Sequence, residues 1–236
     1  MKKNKFLFLF ILLASFKMNA QTFRIDTTEL TFENKLRPCL IVKFDASAKT
    51  VKKGWADYFK KNFKIKIKGI GLLTDKDIVE AQDVTINSIA DKRMNLFARV
   101  TDLPGGSEMK YFMSFGYDFF IGPDNYGNEF GNMHKLLNDF CIRFLNDFYS
   151  DEASRILKEI KGYENDIKKK NNAIASNGKK SKKGSDATAS GLEAKNYAIQ
   201  MDIRLIESKI DNLKKEIDVV KYKQENLVPK SNPVSD

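Results

Sequence analysis

Apolar and polar residues alternate along much of the chain from Gln21 to Gly122. The longest run is Met109, Tyr111, Met113, Phe115, Tyr117, Phe119 and Ile121, with Lys110, Ser114 and Asp118 between. A period of two sends one side chain inward and the next outward, so this run predicts a long strand. Earlier strands are predicted at 22–32, 39–44, 64–73, 84–89 and 94–101, and Pro104, Gly105 and Gly106 predict a hairpin between the last of these and the long strand. Between the second and third strands, Ala48, Val51, Trp55 and Phe59 recur at steps of three and four, while Lys49, Lys52, Lys53 and Lys60 fall outside that stripe. The pattern predicts one amphipathic helix over 47–63. A minor helix is expected to start at Thr74, and Gly69 with Gly71 is expected to mark a bulge. Strand, strand, helix and four strands is the order of a mainly antiparallel α+β domain over 21–148.

Past Pro123 the period changes. Phe130, Met133, Leu137, Phe140, Phe144 and Phe148 follow helical steps, so a second helix should close over the sheet. With 47–63 on one face and 130–148 on the other, Phe112 and Phe120 are expected in a core rather than on an aromatic binding surface. Beyond Asp151 the stripe narrows to Ala153, Ile156, Ile160, Tyr163, Ile167 and Ile174, and it is answered by Ile199, Ile203, Ile206, Ile210, Leu213, Ile217 and Val220 at alternating steps of four and three. Such stripes are coiled-coil seams, and neither buries itself alone. An antiparallel coiled-coil hairpin is therefore expected over 149–228. It has a flexible basic loop at 176–189, a helix stop at Asn177 and Gly178, and a restart at the capping box Ser190 and Glu193. Setting Ile167 against Ile199 puts Ile160 against Ile206, Ala153 against Leu213, and Val220 near Leu145. Residues 229–236 are expected to be a disordered tail.

The first twenty residues carry Lys2, Lys3 and Lys5, an apolar run from Phe6 to Ala14, and the small residue Ala20 before Gln21. That is the order of a secretory signal peptide over 1–20, and its apolar run is shorter than the roughly 20 residues a bilayer span needs. After it no apolar run is long enough to cross a membrane, so the mature chain should be exported to the periplasm or beyond with no transmembrane segment. An oxidising compartment would permit Cys39 and Cys141 to pair, but both sit among apolar neighbours and two buried free thiols are the other reading.

Charge sharpens this picture. The chain holds 41 Lys and Arg against 31 Asp and Glu, and removing 1–20 takes away four lysines and no acid. Lys168, Lys169, Lys170, Lys179, Lys180, Lys182 and Lys183 fall in one acid-free stretch, and without them the mature chain has 30 basic and 31 acidic residues. The whole excess thus belongs to the predicted end of the hairpin. These seven lysines are the candidate partner-binding residues, for an anionic envelope surface or an acidic protein. Nucleic acid is disfavoured, because the chain is exported and no aromatic residues interleave with the lysines to stack bases.

Catalytic chemistry finds little support. His134 is the only histidine, which excludes any metal site needing two imidazoles, and it is expected on a helix surface. The stretch Asp124, Asn125, Gly127, Asn128, Glu129 has the wrong spacing for a calcium loop, with Lys135 where the distal glutamate belongs. Gly69 and Gly71 lack the third glycine of a dinucleotide fingerprint. No catalytic, cofactor-binding or metal residue is assigned, and no cofactor is expected.

The lysine-rich leader ending at Ala20, and the order of strand, helix with Gly54, Trp55 and Tyr58, antiparallel strands and closing helix over 38–148, resemble uncharacterised exported proteins of the Bacteroidetes with a TBP-like α+β domain. The resemblance implies an envelope protein without known catalysis and carries over no functional residues. The chain is accordingly expected to be an exported, non-enzymatic interaction or scaffold protein, whose arm contacts an anionic partner or forms a homo-oligomer through the coiled coil. The alternative is a ligand-binding or hydrolytic α+β domain with the hairpin as accessory.

Overall fold

The computed structural model describes residues 23–71 and 77–227. The leader at 1–20, the helix start at Thr74, the end of the strand expected at 64–73 and the tail at 229–236 lie outside the described residues. The elements are β1 (Ile25–Phe32), β2 (Lys35–Phe44), α1 (Ala48–Phe63), β3 (Ile78–Ile86), β4 (Ala90–Leu103), β5 (Gly106–Ser114), α2 (Gly127–Ser181) and α3 (Asp186–Glu225). The fold is α+β, a five-stranded antiparallel sheet in the order β1-β2-β5-β4-β3 with helices on it and a long antiparallel helical pair beyond.

Alternation along the strands sorts the residues onto two faces. Leu40 pairs with Tyr111, Tyr111 with Ala98 and Ala98 with Val79, which makes a continuous buried row across four strands. On that row lies α1, started by Ser47, whose hydroxyl accepts from the Thr50 amide, and ended at Lys64, which takes left-handed φ. Trp55 meets Tyr111 edge-on at 5.2 Å and Phe140 of α2 at 4.7 Å between ring centroids, so α1 and α2 share one face of the sheet. A helix on each face is therefore corrected. The stripe on α2 is wide enough to cover what α1 leaves bare, and the two helices approach closely at Gly54, where a Cβ would overlap the ring of Phe144.

Two strand expectations also change. Residues 64–71 form no strand: Lys68 makes one isolated bridge to Glu80, and Ile65 and Ile67 are buried without a ladder. The long alternating run stops at Ser114, because Gly116 and Tyr117 both take positive φ and turn the chain back, so that Phe120 bridges Ser114. Pro104 and Gly105 make the turn between β4 and β5 as expected, with Leu103 paired to Gly106.

The closing helix and the first arm of the hairpin are one continuous helix of 55 residues. Ala153, Ile156 and Ile160 on α2 and Ile203, Ile210, Ile217 and Val220 on α3 are buried between the arms. The loop expected at 176–189 is helical except for 182–185: the helix runs on through Asn177 and Gly178, the expected stop, and α3 begins at Asp186, ahead of the expected capping box at Ser190 and Glu193. The register differs too. Lys170 meets Asp202, Asn177 meets Asn196 and Arg155 meets Glu216, five to seven positions along α3 from where pairing Ile167 with Ile199 would put them. A stripe stepping by three and four lays isoleucine on isoleucine again after a slip of one heptad, so the stripe fixes the face and the polar pairs fix the register.

Candidate functional site

From residue 161 to residue 202 no side chain is buried, whereas Ile160, Ile210, Ile217 and Val220 belong to the core that includes the sheet. The distal part of the hairpin is thus two helices that touch each other and little else. Its base is tied down: Asp45 at the end of β2 accepts from Tyr149 of α2 and from Lys223 of α3, both at 2.8 Å.

The seven candidate lysines separate into two groups along this arm. Lys179, Lys180, Lys182 and Lys183 surround the turn, all exposed, with no acidic partner among the described residues. Lys168, Lys169 and Lys170 lie about 18 Å further down at 1.5 Å per residue. There Lys169 pairs with Asp166 at 3.3 Å and Lys170 with Asp202 at 2.8 Å across the hairpin. Those two serve the arm's own charge balance. The tip keeps four unpaired ammonium groups, of which Lys179 and Lys180 also sit in the last turn of α2, where cations complement the exposed carbonyls.

The other cysteine and histidine expectations resolve simply. Cys39 and Cys141 are free and lie in separate clusters on opposite faces of the sheet, which excludes their pairing. Burial pushes the Cys39 thiol up to about 11 and the Cys141 thiol well above its usual range. His134 is half-buried on α2, and that burial lowers its pKa. Asn125 accepts from the Gly122 amide and donates to the Phe120 carbonyl, so the acidic stretch beside it is a turn. Among the described residues no group of three or more His, Cys, Asp or Glu could hold a metal ion, and no helix is long and apolar enough to cross a membrane.

The helix-free face of the sheet carries a feature that periodicity alone did not isolate. Leu30, Cys39, Phe97, Phe112 and Phe120 form a second buried cluster there. Phe97 stacks on Phe112 at 5.1 Å, and the loop after β5 folds Phe120 over both. That loop is pinned through Asp118, which takes Lys35 and the buried guanidinium of Arg37; these hydrogen bonds hold its carboxyl below the usual range. Arg37 in turn lies 4.2 Å above the Phe120 ring. Beside the loop is a cavity of about 610 Å³. A second cavity of about 410 Å³ runs between α1 and α2 over Phe140, Phe144 and Phe148, with Lys53, Lys61 and Arg143 facing Asp57, Asp147 and Asp151 on its rim. Its rim charges balance, and its tyrosine, Tyr58, is engaged with Asp139 at 2.8 Å. No family model matches the chain, and neither the curated proteins nor the solved structures contain a match to it.

Proposed function

We propose that this chain is an exported, non-enzymatic interaction protein of the cell envelope, in which a coiled-coil arm presents Lys179, Lys180, Lys182 and Lys183 to an anionic partner. One observation carries the reading: four lysines without acidic partners stand at a four-residue turn, at the end of an arm with no buried residue over 161–202. Each lysine within a Debye length of an anionic bilayer contributes up to about 1 kcal/mol, so four acting together give useful and salt-sensitive affinity. Phosphate-bearing lipid is the partner chemistry that suits a cluster of flexible point charges without aromatic readers.

Co-sedimentation with phosphatidylglycerol vesicles tests this. The chain should pellet at low salt, and it should lose that binding when the four tip lysines are changed to glutamine and when the vesicles are pure phosphatidylcholine. Equal binding by both forms removes the proposal. A second reading is favoured by the exposed stripe Tyr197, Met201 and Leu205 at steps of four on α3, which would let the arm pair with a second copy. Sedimentation equilibrium with Met201→Glu and Leu205→Glu tests it: a dimer that dissociates supports the pairing, and a monomer in both forms rejects it.

A further inference from the structure

The cavity on the helix-free face spans the sheet from the β1–β2 turn to β3 at the other edge. Its floor is aromatic, made of Phe32, Phe97 and Phe120, and Tyr117 and Phe119 stand at its margin with 96% and 61% of their surface exposed. Among the described residues only Tyr117, Phe119, Tyr197 and Tyr222 leave an aromatic ring exposed, so two such rings beside one concavity set the margin apart. Tyr117 also holds a left-handed backbone with φ 47°, next to Gly116 at φ 103°. A bulky residue adopts that conformation at a cost of the order of 1–3 kcal/mol, and such outliers concentrate where a side chain must be aimed.

The charge of the lining runs against that of the whole molecule. Although lysine and arginine outnumber acids by 41 to 31, the lining holds Glu33, Glu80 and Asp118 and no cationic residue. Asp118 is paired with both Lys35 and Arg37, one cation more than it balances, and the Arg37 guanidinium already covers one side of the Phe120 ring. Among the described residues, by contrast, Glu80 accepts only the Gln82 amide at 3.2 Å and Glu33 has no ion-pair partner. Glu33 and Glu80 thus carry no cation of their own, and the three acids of the lining outnumber the two cations on Asp118, which leaves the bowl negative by one charge.

Aromatic faces attract cations through the ring quadrupole, and nearby carboxylates add Coulomb attraction; together they favour a weakly hydrated organic cation over a metal ion or an anion. We propose that this bowl binds an alkylammonium group, seated on the ring floor with Tyr117 closing over it and Glu33 and Glu80 balancing its charge. This assignment is independent of the lysine tip, which stands on the distal end of the hairpin.

Calorimetric titration of the full chain tests it, with choline as the free cation, a peptide bearing one trimethyl-lysine as the tethered one, and 3,3-dimethyl-1-butanol as the uncharged isostere of choline. At least one cation should bind, and the tighter of the two identifies the carrier. The isostere should bind roughly fivefold or more weakly, and Tyr117→Ala and Glu80→Gln should each weaken the cation by a similar factor. Both positions are solvent-facing or partly so, and an unchanged near-ultraviolet circular dichroism spectrum shows that the fold survives either substitution. The proposal is overturned if neither cation binds at millimolar concentration, if the isostere binds as tightly as choline, or if both variants bind like the parent.

Discussion

Asp45 shows how much of this architecture depends on single polar groups. It lies at the end of β2, and its carboxylate gathers the Tyr149 hydroxyl and the Lys223 ammonium, so one side chain joins the sheet to both arms of the hairpin. Replacing it with alanine leaves the hydroxyl of the buried Tyr149 without its acceptor and should cost about 1–3 kcal/mol, seen as a lower midpoint in urea denaturation. Nothing in the sequence marks Asp45 among 31 acids, because its role is set by two partners more than a hundred residues away. The cysteines teach the converse. Their apolar neighbours correctly pointed to burial, but whether they could meet depended on which face each occupied, and alternation in one strand says nothing about a helix a hundred residues on. Both thiols should be silent to a thiol reagent in the native protein at pH 8 and should react fully in denaturant. Because burial raises the native pKa of Cys39 from 9.0 to about 11, the native state keeps its proton where the unfolded chain loses it; the stability this thiol contributes should therefore be constant below pH 9 and decline as the pH rises towards 11.

At the level of elements, hydrophobic period located what it could and erred where two structures share a period. Ser47–Phe63 was legible because cap, stripe and lysine-rich outer face agree, and the structure returns Ala48–Phe63. The run from Met109 to Ile121 keeps an apolar residue at every second position through the reversal at Gly116 and Tyr117, although Tyr117 and Phe119 there are exposed and burial resumes only at Phe120 and Ile121. Alternation cannot distinguish a straight strand from one folded back upon itself. Likewise the two isoleucine stripes revealed that the helices pair, whereas the register follows from Lys170 with Asp202 and Asn177 with Asn196. Cross-linking checks this directly. Cysteines placed as Lys170→Cys and Asp202→Cys should be joined by a short bismaleimide, and Lys170→Cys with Asn196→Cys, the pair favoured by the register first expected from sequence, should not. The opposite result would mean that the polar contacts do not set the pairing.

For the whole molecule, the division into a two-helix layer, a sheet, and a projecting arm explains where the apolar residues go. One face of the sheet is sealed by α1 and α2, the other is filled locally by a phenylalanine cluster under the loop after β5, and the remaining isoleucines are spent between the two long helices. The charge follows the same plan, with the excess of lysine gathered along the part of the chain that leaves the core. That concentration was visible in the sequence, and so was the existence of the arm. The aromatic bowl was not, because it is assembled from both edges of the sheet and a returning loop that no local pattern brings together.

The arm extends away from the sheet, and small-angle X-ray scattering tests that most directly. At 1.5 Å per residue the 55 residues of α2 alone span about 82 Å, so the maximum dimension should exceed about 80 Å. A compact globule of 236 residues has a radius of gyration of about 18 Å, and a measured value near that figure, with a maximum dimension near 45 Å, would show the helices folded back against the body and contradict it.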